Sequence, residues 1–268
     1  SLCFKFGAAP FHMWVPDIYQ GSLISTTVLL STLPKVAVFV VFLKLYFIPF
    51  LVIKFIWSDI LIFVGMLSII IGSLYALTQE NIKRLLAYSA ISNIGFIILS
   101  IGLVTINGLQ ASLYYTVVYS LTALASFGVI THITTNSHGI ENIKDMAGLS
   151  KTHPYFAILI LITMLSSAGI PPLIGFHAKL IVIKSLIDSS LIILSMIVVL
   201  MTVISAYYYL RIIKTVYFDD REELISTLPG NSIILSINVI SLLVLGLFPY
   251  IIYNLSKHLA SLFPSISI

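Results

Sequence analysis

Residues 23–45, LISTTVLLSTLPKVAVFVVFLKL, decide how this chain is read. As a helix rising ~1.5 Å per residue the run is long enough to cross a hydrocarbon core of ~30 Å. Lys35 stands near its middle, too far from either end for its stem to carry the ammonium easily to an interface. A charge at that depth is costly and by default marks a functional site. Lys5 and Lys179 lie in similarly apolar surroundings, each close to helix-breaking prolines.

The rest of the sequence agrees with a membrane setting. Of 268 residues 59% are hydrophobic and only 9% charged, and the mean hydropathy is +1.10. That much apolar surface fits a polytopic helical membrane protein, with the lipid bilayer as its solvent. The net charge of +4 is no nucleic-acid signal, because the other basic residues sit in connections and at helix ends. No nucleic-acid partner is expected. Cys3 is the sole cysteine, which excludes an intrachain disulfide and a cysteine metal cluster.

Working outward, the hydropathy pattern predicts about eight spans, roughly 1–19, 23–48, 57–79, 82–104, 108–135, 153–187, 188–216 and 231–255. Backbone groups in lipid must be satisfied internally, so these are helices. The first is short and interrupted by Pro10 and Pro16. The 153–187 stretch is too long for one straight crossing, and Pro171-Pro172 is its natural break. The expected fold is an all-α polytopic membrane protein with two proline-broken helices. Both broken spans carry a lysine and run in opposite directions, five spans apart, as an inverted five-helix repeat requires. The domains expected are 1–48 (end of a first repeat), 57–216 (a second five-helix repeat) and 217–268 (a loop and the last span). The polar insertion 136–152 reads either as a solvated connection or as a small surface helix.

Lys83, Arg84, Lys144, Lys151, Arg211, Lys214 and Arg221 fall on one side, and Lys44, Lys54, Lys184 and Lys257 on the other. The positive-inside rule puts the first side, reached after the odd-numbered spans, on the cytoplasmic or matrix face. All ten acidic residues lie at span ends or in loops. The three buried lysines therefore lack a carboxylate partner at bilayer depth within this chain. Such an ammonium either sheds its proton more readily, which suits a proton carrier, or draws a carboxylate from another chain. His12 and His177 lie close in sequence to Lys5 and Lys179, where freed carbonyls and water at the breaks could pass a proton, although a lone histidine is more often a satisfied core residue. Trp14 and Trp57 read as interfacial belt residues, Lys44 and Lys184 as snorkelling anchors, and Tyr207, Tyr208 and Tyr209 as packing or anchoring side chains. There is no GxGxxG, Walker loop, nucleophile motif or histidine pair at haem or zinc spacing. No metal or cofactor is expected on this chain, and no redox or hydrolytic chemistry.

Three stretches carry a resemblance. FKFGAAPFHMWVPDIYQG (4–21), QENIKRLLAYSAISNIGF (79–96) and GIPPLIGFHAKL (169–180) are together similar to the antiporter-like membrane subunits of respiratory complex I. The tail stretches AYYYLRIIKTVYF (206–218) and LLVLGLFPYII (242–252) look most like the subunit-2 branch of that family. The resemblance covers essentially the whole chain. It implies that Lys5, Lys35 and Lys179 form a proton relay; His12 and His177 stay candidates on their positions at the breaks alone. It also implies the C-terminal eight of fourteen helices of a proton-translocating subunit in the mitochondrial inner membrane. NADH, FMN, iron–sulfur clusters and ubiquinone would lie in other subunits of an NADH:ubiquinone reductase, with structural lipid around this one. The expected partners are other membrane-arm subunits and a separate chain that supplies the earlier helices and a carboxylate near Lys5. Where the family often has histidine this chain has Asn93, which cannot relay by titration. The rival readings are a cation/proton antiporter subunit and a non-transporting membrane scaffold.

Overall fold

The computed structural model describes residues 1–134, 141–220 and 232–263. Arg221, Glu222 and Glu223 of the charge pattern, and part of the 136–152 insertion, lie outside them. The chain is helical: α1 (Leu2–Phe6), α2 (Trp14–Gly21), α3 (Ile24–Tyr46), α4 (Lys54–Thr78), α5 (Ile82–Gly102), α6 (Ile106–Thr134), α7 (Leu149–Thr152), α8 (Pro154–Ala168), α9 (Ile174–Asp188), α10 (Ile192–Phe218), α11 (Ile233–Leu247) and α12 (Tyr250–Ser261). Among the described residues, five stretches are long and apolar enough to cross a membrane as single spans, the α4 stretch including a 3₁₀ turn at Pro49–Ile53. α1–α2 and α8–α9 are the two broken helices that the prolines predict. Pro10 and Pro171-Pro172 fall in the breaks, whereas Pro16 is accommodated in the first turn of α2.

A third bend was not legible. The sequence predicts one span over 231–255, but α11 ends at Leu247 and α12 leaves at 80°. Pro249 supplies no N–H to continue the ladder and biases Phe248 away from helical geometry, here φ −120°, ψ 61°. Beyond the bend Asn254, Ser256, Lys257, His258 and Ser261 make α12 amphipathic.

α5 is the buried centre of the bundle, enclosed by α4, α6 and α2. α4 and α5 approach to backbone contact because glycines line their seam. A Cβ on Gly72 would sit 2.5 Å from Ser92 N, and one on Gly95 2.7 Å from Gly65 O. Without a hydrophobic drive between helices in lipid, such close packing is a main source of association. The connection before α7 is ordered by Asn142 and Asp145, which form a capping box, and by Ile143 N–H donating to Glu80 O (2.9 Å). Its described part holds a 3₁₀ turn and the one-turn α7, so it is more than a bare connection and less than a surface helix of full length. Arg211 of α10 donates to Leu77 O (2.9 Å) and Gln79 O (2.6 Å), placing a cation on the open C-terminal end of α4.

Candidate functional site

The first break follows from Gly7. Its φ of +77° is left-handed, which ends α1 and directs Ala8 N–H back to Cys3 O (2.9 Å). α1 therefore stops inside the bundle with its negative dipole end exposed to neighbouring side chains. Lys35, on α3 and only 2% exposed, donates its Nζ to Phe6 O there. The indole of Trp14 completes the seat, with its ring centroid 5.5 Å from Nζ and its Nε1 donating to Phe4 O (3.0 Å). A Cβ on Gly7 would stand 3.0 Å from Nζ.

The second break repeats the chemistry. Gly169 (φ +83°) ends α8. Lys179, 7% exposed, reaches back from α9 and donates to Ser167 O and Ala168 O, both at 2.9 Å, and to Ser205 Oγ at 3.3 Å. Here a Cβ on the glycine would press on Lys179 Cδ at 2.9 Å. The lysine thus crosses the gap of its own broken helix.

Among the described residues neither ammonium has a carboxylate in ion-pair range; the three ion pairs, Arg84–Asp17, Lys151–Asp220 and Lys214–Asp219, are peripheral. Within the chain, Lys35 and Lys179 find partners other than a carboxylate. Main-chain carbonyls at half-helix ends fill the role, because a broken helix presents unsatisfied acceptors and a dipole at depth.

Between the two lysine seats lies a polar seam. Lys179 lines a void of about 10 Å³ with Asn93, Tyr115, Tyr119, Ser166 and Ser167. That is the lower limit for one water. Tyr115 donates to Asn93 Oδ1 (2.9 Å), and Tyr119 donates to Ser31 O (3.0 Å), one turn before Lys35. Tyr209 lies among Ser89, Asn93, Ser167 and Tyr208. The tyrosines were the part least visible in the sequence. Tyr208 and Tyr209 are core residues facing this seam, and only Tyr207 of the triplet is exposed.

Lys5 and His177 are placed elsewhere. Lys5 is exposed on the outer face of α1, not in the interior. His12 is buried in the first break, edge-on to Tyr88 at 6.4 Å. His177 points away from Lys179, since two helical residues differ by ~200° in direction. It lines a separate cleft of about 360 Å³ with Asn107, Gln110, Tyr114, Lys184 and Asp188. Trp14 serves the Lys35 seat, and Trp57 is buried edge-on to Tyr46 and Phe47 with its Nε1 donating to Phe50 O (2.8 Å).

Two broken helices, with lysines seated on their inner ends, define a helical membrane protein of the antiporter-like fold. A family model described as NADH:quinone oxidoreductase/Mrp antiporter, transmembrane, matches residues 1–205, and the chain belongs to that family. It is 45% identical over 251 residues to NADH-quinone oxidoreductase subunit N of Ruthia magnifica subsp. Calyptogena magnifica, covering 93% of this chain and 52% of that protein. The subunit N of Hydrogenovibrio crunogenus is 41% identical over 254 residues, with 93% and 53% covered. The chain thus spans about half the length of the curated relatives it matches. A chain of respiratory complex I from Thermus thermophilus with bound aureothin superposes with TM-score 0.79 at 31% identity, over 94% of this chain and 56% of that one. A chain of the Mrp complex from Dietzia sp. DQ12-45-1b gives 0.86 at 21% identity, over 99% and 59%, which speaks to the fold alone.

Proposed function

We propose that this chain is part of a proton-translocating membrane-arm subunit of an NADH:quinone oxidoreductase. The observation that carries the reading is the pair of buried ammonium groups, Lys35 and Lys179, each held on the inner end of a broken helix. An ammonium held by neutral carbonyls is bound without being neutralised, so it can lose and regain a proton without breaking an ion pair. The polar seam through Tyr119, Tyr115 and Asn93 supplies hydroxyls and room for a water between the two seats. Protons would pass along it as charge displacements elsewhere in the complex bias one seat against the other.

NADH oxidation and quinone reduction, with FMN and iron–sulfur clusters, would belong to other subunits, and neighbouring membrane-arm subunits are the proposed partners. Lys5 joins the relay in this proposal by meeting a carboxylate on helices that precede α1, whether these belong to the same polypeptide or to a separate one. Residues 1–48 and 57–216 would be members of two inverted repeats, and 217–268 an appendix. The basic ends of the odd-numbered spans support a cytoplasmic or matrix location for that side. The Ile-, Phe- and Tyr-rich composition supports a mitochondrial inner membrane, while the bacterial origin of the relatives favours a bacterial energy-coupling membrane.

The test is the proton-to-electron ratio of the intact complex in sealed vesicles carrying Lys35→Ala or Lys179→Ala. A fall in both proton transfer and coupled quinone reduction with the complex assembled supports the proposal; an unchanged ratio in both variants rejects it. The Mrp half of the family description favours a second reading, cation/proton exchange. Sodium- or potassium-driven proton movement in the absence of NADH would favour it instead.

A further inference from the structure

Pro34 immediately precedes Lys35 inside α3. A proline in a helix interior has no N–H for the carbonyl four residues back and its ring crowds that carbonyl. Here the orphan is Leu30 O. Tyr19 of α2 donates its hydroxyl to it at 3.3 Å. The next carbonyl, Ser31 O, is the one Lys35 N–H would use, and Tyr119 of α6 donates to it at 3.0 Å. The same turn is weakened from within. Ser31 Oγ and Thr32 Oγ1 both donate back to Val28 O at 2.9 Å, a pattern that bends helices.

We infer that Tyr19 and Tyr119 are positioning residues for Lys35, holding the turn of α3 before Pro34 so that the ammonium lands on Phe6 O. The two halves of the first broken helix then grip α3 on both sides of Pro34. α1 takes the lysine through Phe6 O, and α2 takes the carbonyl one turn earlier through Tyr19. Both tyrosine side chains are buried, Tyr19 fully and Tyr119 3% exposed, so water is a poor substitute for either hydroxyl. Tyr119 also lines the void that holds Lys179, which makes it the joint between the two seats. A displacement of α2 or α6 is thereby passed to Lys35 through one hydrogen bond.

The inference rests on the proposed proton-carrying role of Lys35, and the experiment separates the two. In the intact complex, Tyr19→Phe and Tyr119→Phe are compared with Lys35→Ala for proton transfer per electron. Each phenylalanine variant should lower proton transfer roughly threefold to tenfold, the factor one ordinary hydrogen bond carries. Pro34→Ala restores the N–H that Leu30 O lacks, so in that background Tyr19→Phe should cost nothing further while Tyr119→Phe still does. A high-resolution structure of the Tyr19→Phe complex, or of Tyr119→Phe should the first not assemble, should show Lys35 Nζ moved off Phe6 O. Wild-type proton transfer in both phenylalanine variants, an equal Tyr19→Phe penalty in both backgrounds, or an unmoved Lys35 overturns the inference. Full activity of Lys35→Ala instead rejects the functional proposal beneath it.

Discussion

The two broken helices solve one problem with different wiring. At the first, the lysine comes from the neighbouring α3 and finds one carbonyl and the face of Trp14. At the second, the lysine belongs to the second half of the same broken helix and finds two carbonyls and a serine hydroxyl. What is common to both is a buried helix C-terminus opened by a left-handed glycine. At such an end a preorganised carbonyl with a helix dipole accepts a hydrogen bond from an ammonium without a second desolvated charge. The difference is in redundancy. Lys179 can lose an acceptor and keep two, whereas Lys35 depends on one carbonyl and on the proline-containing turn that carries it.

The largest effects are expected from removing the lysines. Lys35→Ala and Lys179→Ala should each reduce proton transfer per electron by more than about tenfold, with the complex still assembled, since deleting a buried charge seldom harms packing. Vesicle acidification alongside native gels of the complex checks both halves. Loss of assembly in either variant would mean that its ammonium is a structural strut, and the two seats would cease to be equivalent.

The glycines should come next, and they should separate the seats. Gly7→Ala and Gly169→Ala each place a side chain at positive φ, costing roughly 1–2 kcal/mol before any clash. At Gly169 the added methyl meets Lys179 at mid-stem, 2.9 Å from Cδ, where the chain can bend around it. At Gly7 it meets Lys35 Nζ itself at 3.0 Å and Val15 Cγ2 at 2.7 Å. Gly7→Ala should therefore lose more proton transfer than Gly169→Ala at similar thermal stability. The reverse order, measured on the same preparations, would break the claim that the Lys35 seat is the less redundant.

A smaller contrast comes from the accessory groups. Ser205→Ala leaves Lys179 its two carbonyls and should slow proton transfer by no more than about threefold, within the range of one weak hydrogen bond. Trp14→Leu removes both the aromatic face beneath Lys35 and the indole N–H on Phe4 O, and should cost more, up to roughly tenfold. Equal effects would show that acceptor number does not govern the two seats.

Much of this was legible in the sequence, and the reasons it stopped are physical. Lys35 and Lys179 declared themselves because a lysine in a long apolar run has few inexpensive explanations. The breaks were visible at Pro10 and Pro171-Pro172, because proline acts through its own backbone. The bend at Pro249 was hidden because Phe248 and Tyr250 keep the hydropathy high across it. The family resemblance, carried by the stretches 4–21, 79–96 and 169–180, agrees with the family match over residues 1–205. The acceptors were not legible. Phe6, Ser167 and Ala168 contribute carbonyls, which every residue has, so only the fold identifies them. The tyrosines of the seam were hidden likewise, since Tyr19 and Tyr119 resemble any buried aromatic until their hydroxyls are placed. His12 and His177 were grouped with lysines by sequence proximity, and helical direction separates His177 from Lys179.

The smallest expected effect sharpens the comparison within a single helix. Lys44 lies on α3 as Lys35 does, in its last turn, and is exposed. Its ammonium stands near the negative end of an intact helix, where a cation contributes about 0.3–1 kcal/mol at most. It has no half-helix end to sit on and no proline immediately before it. Lys44→Ala should leave the proton-to-electron ratio within error of the unaltered complex and shift thermal stability only marginally. If Lys44→Ala uncouples the complex as Lys35→Ala does, position at an internal helix end is not what distinguishes the working lysines. The general charge of α3 would then account for both.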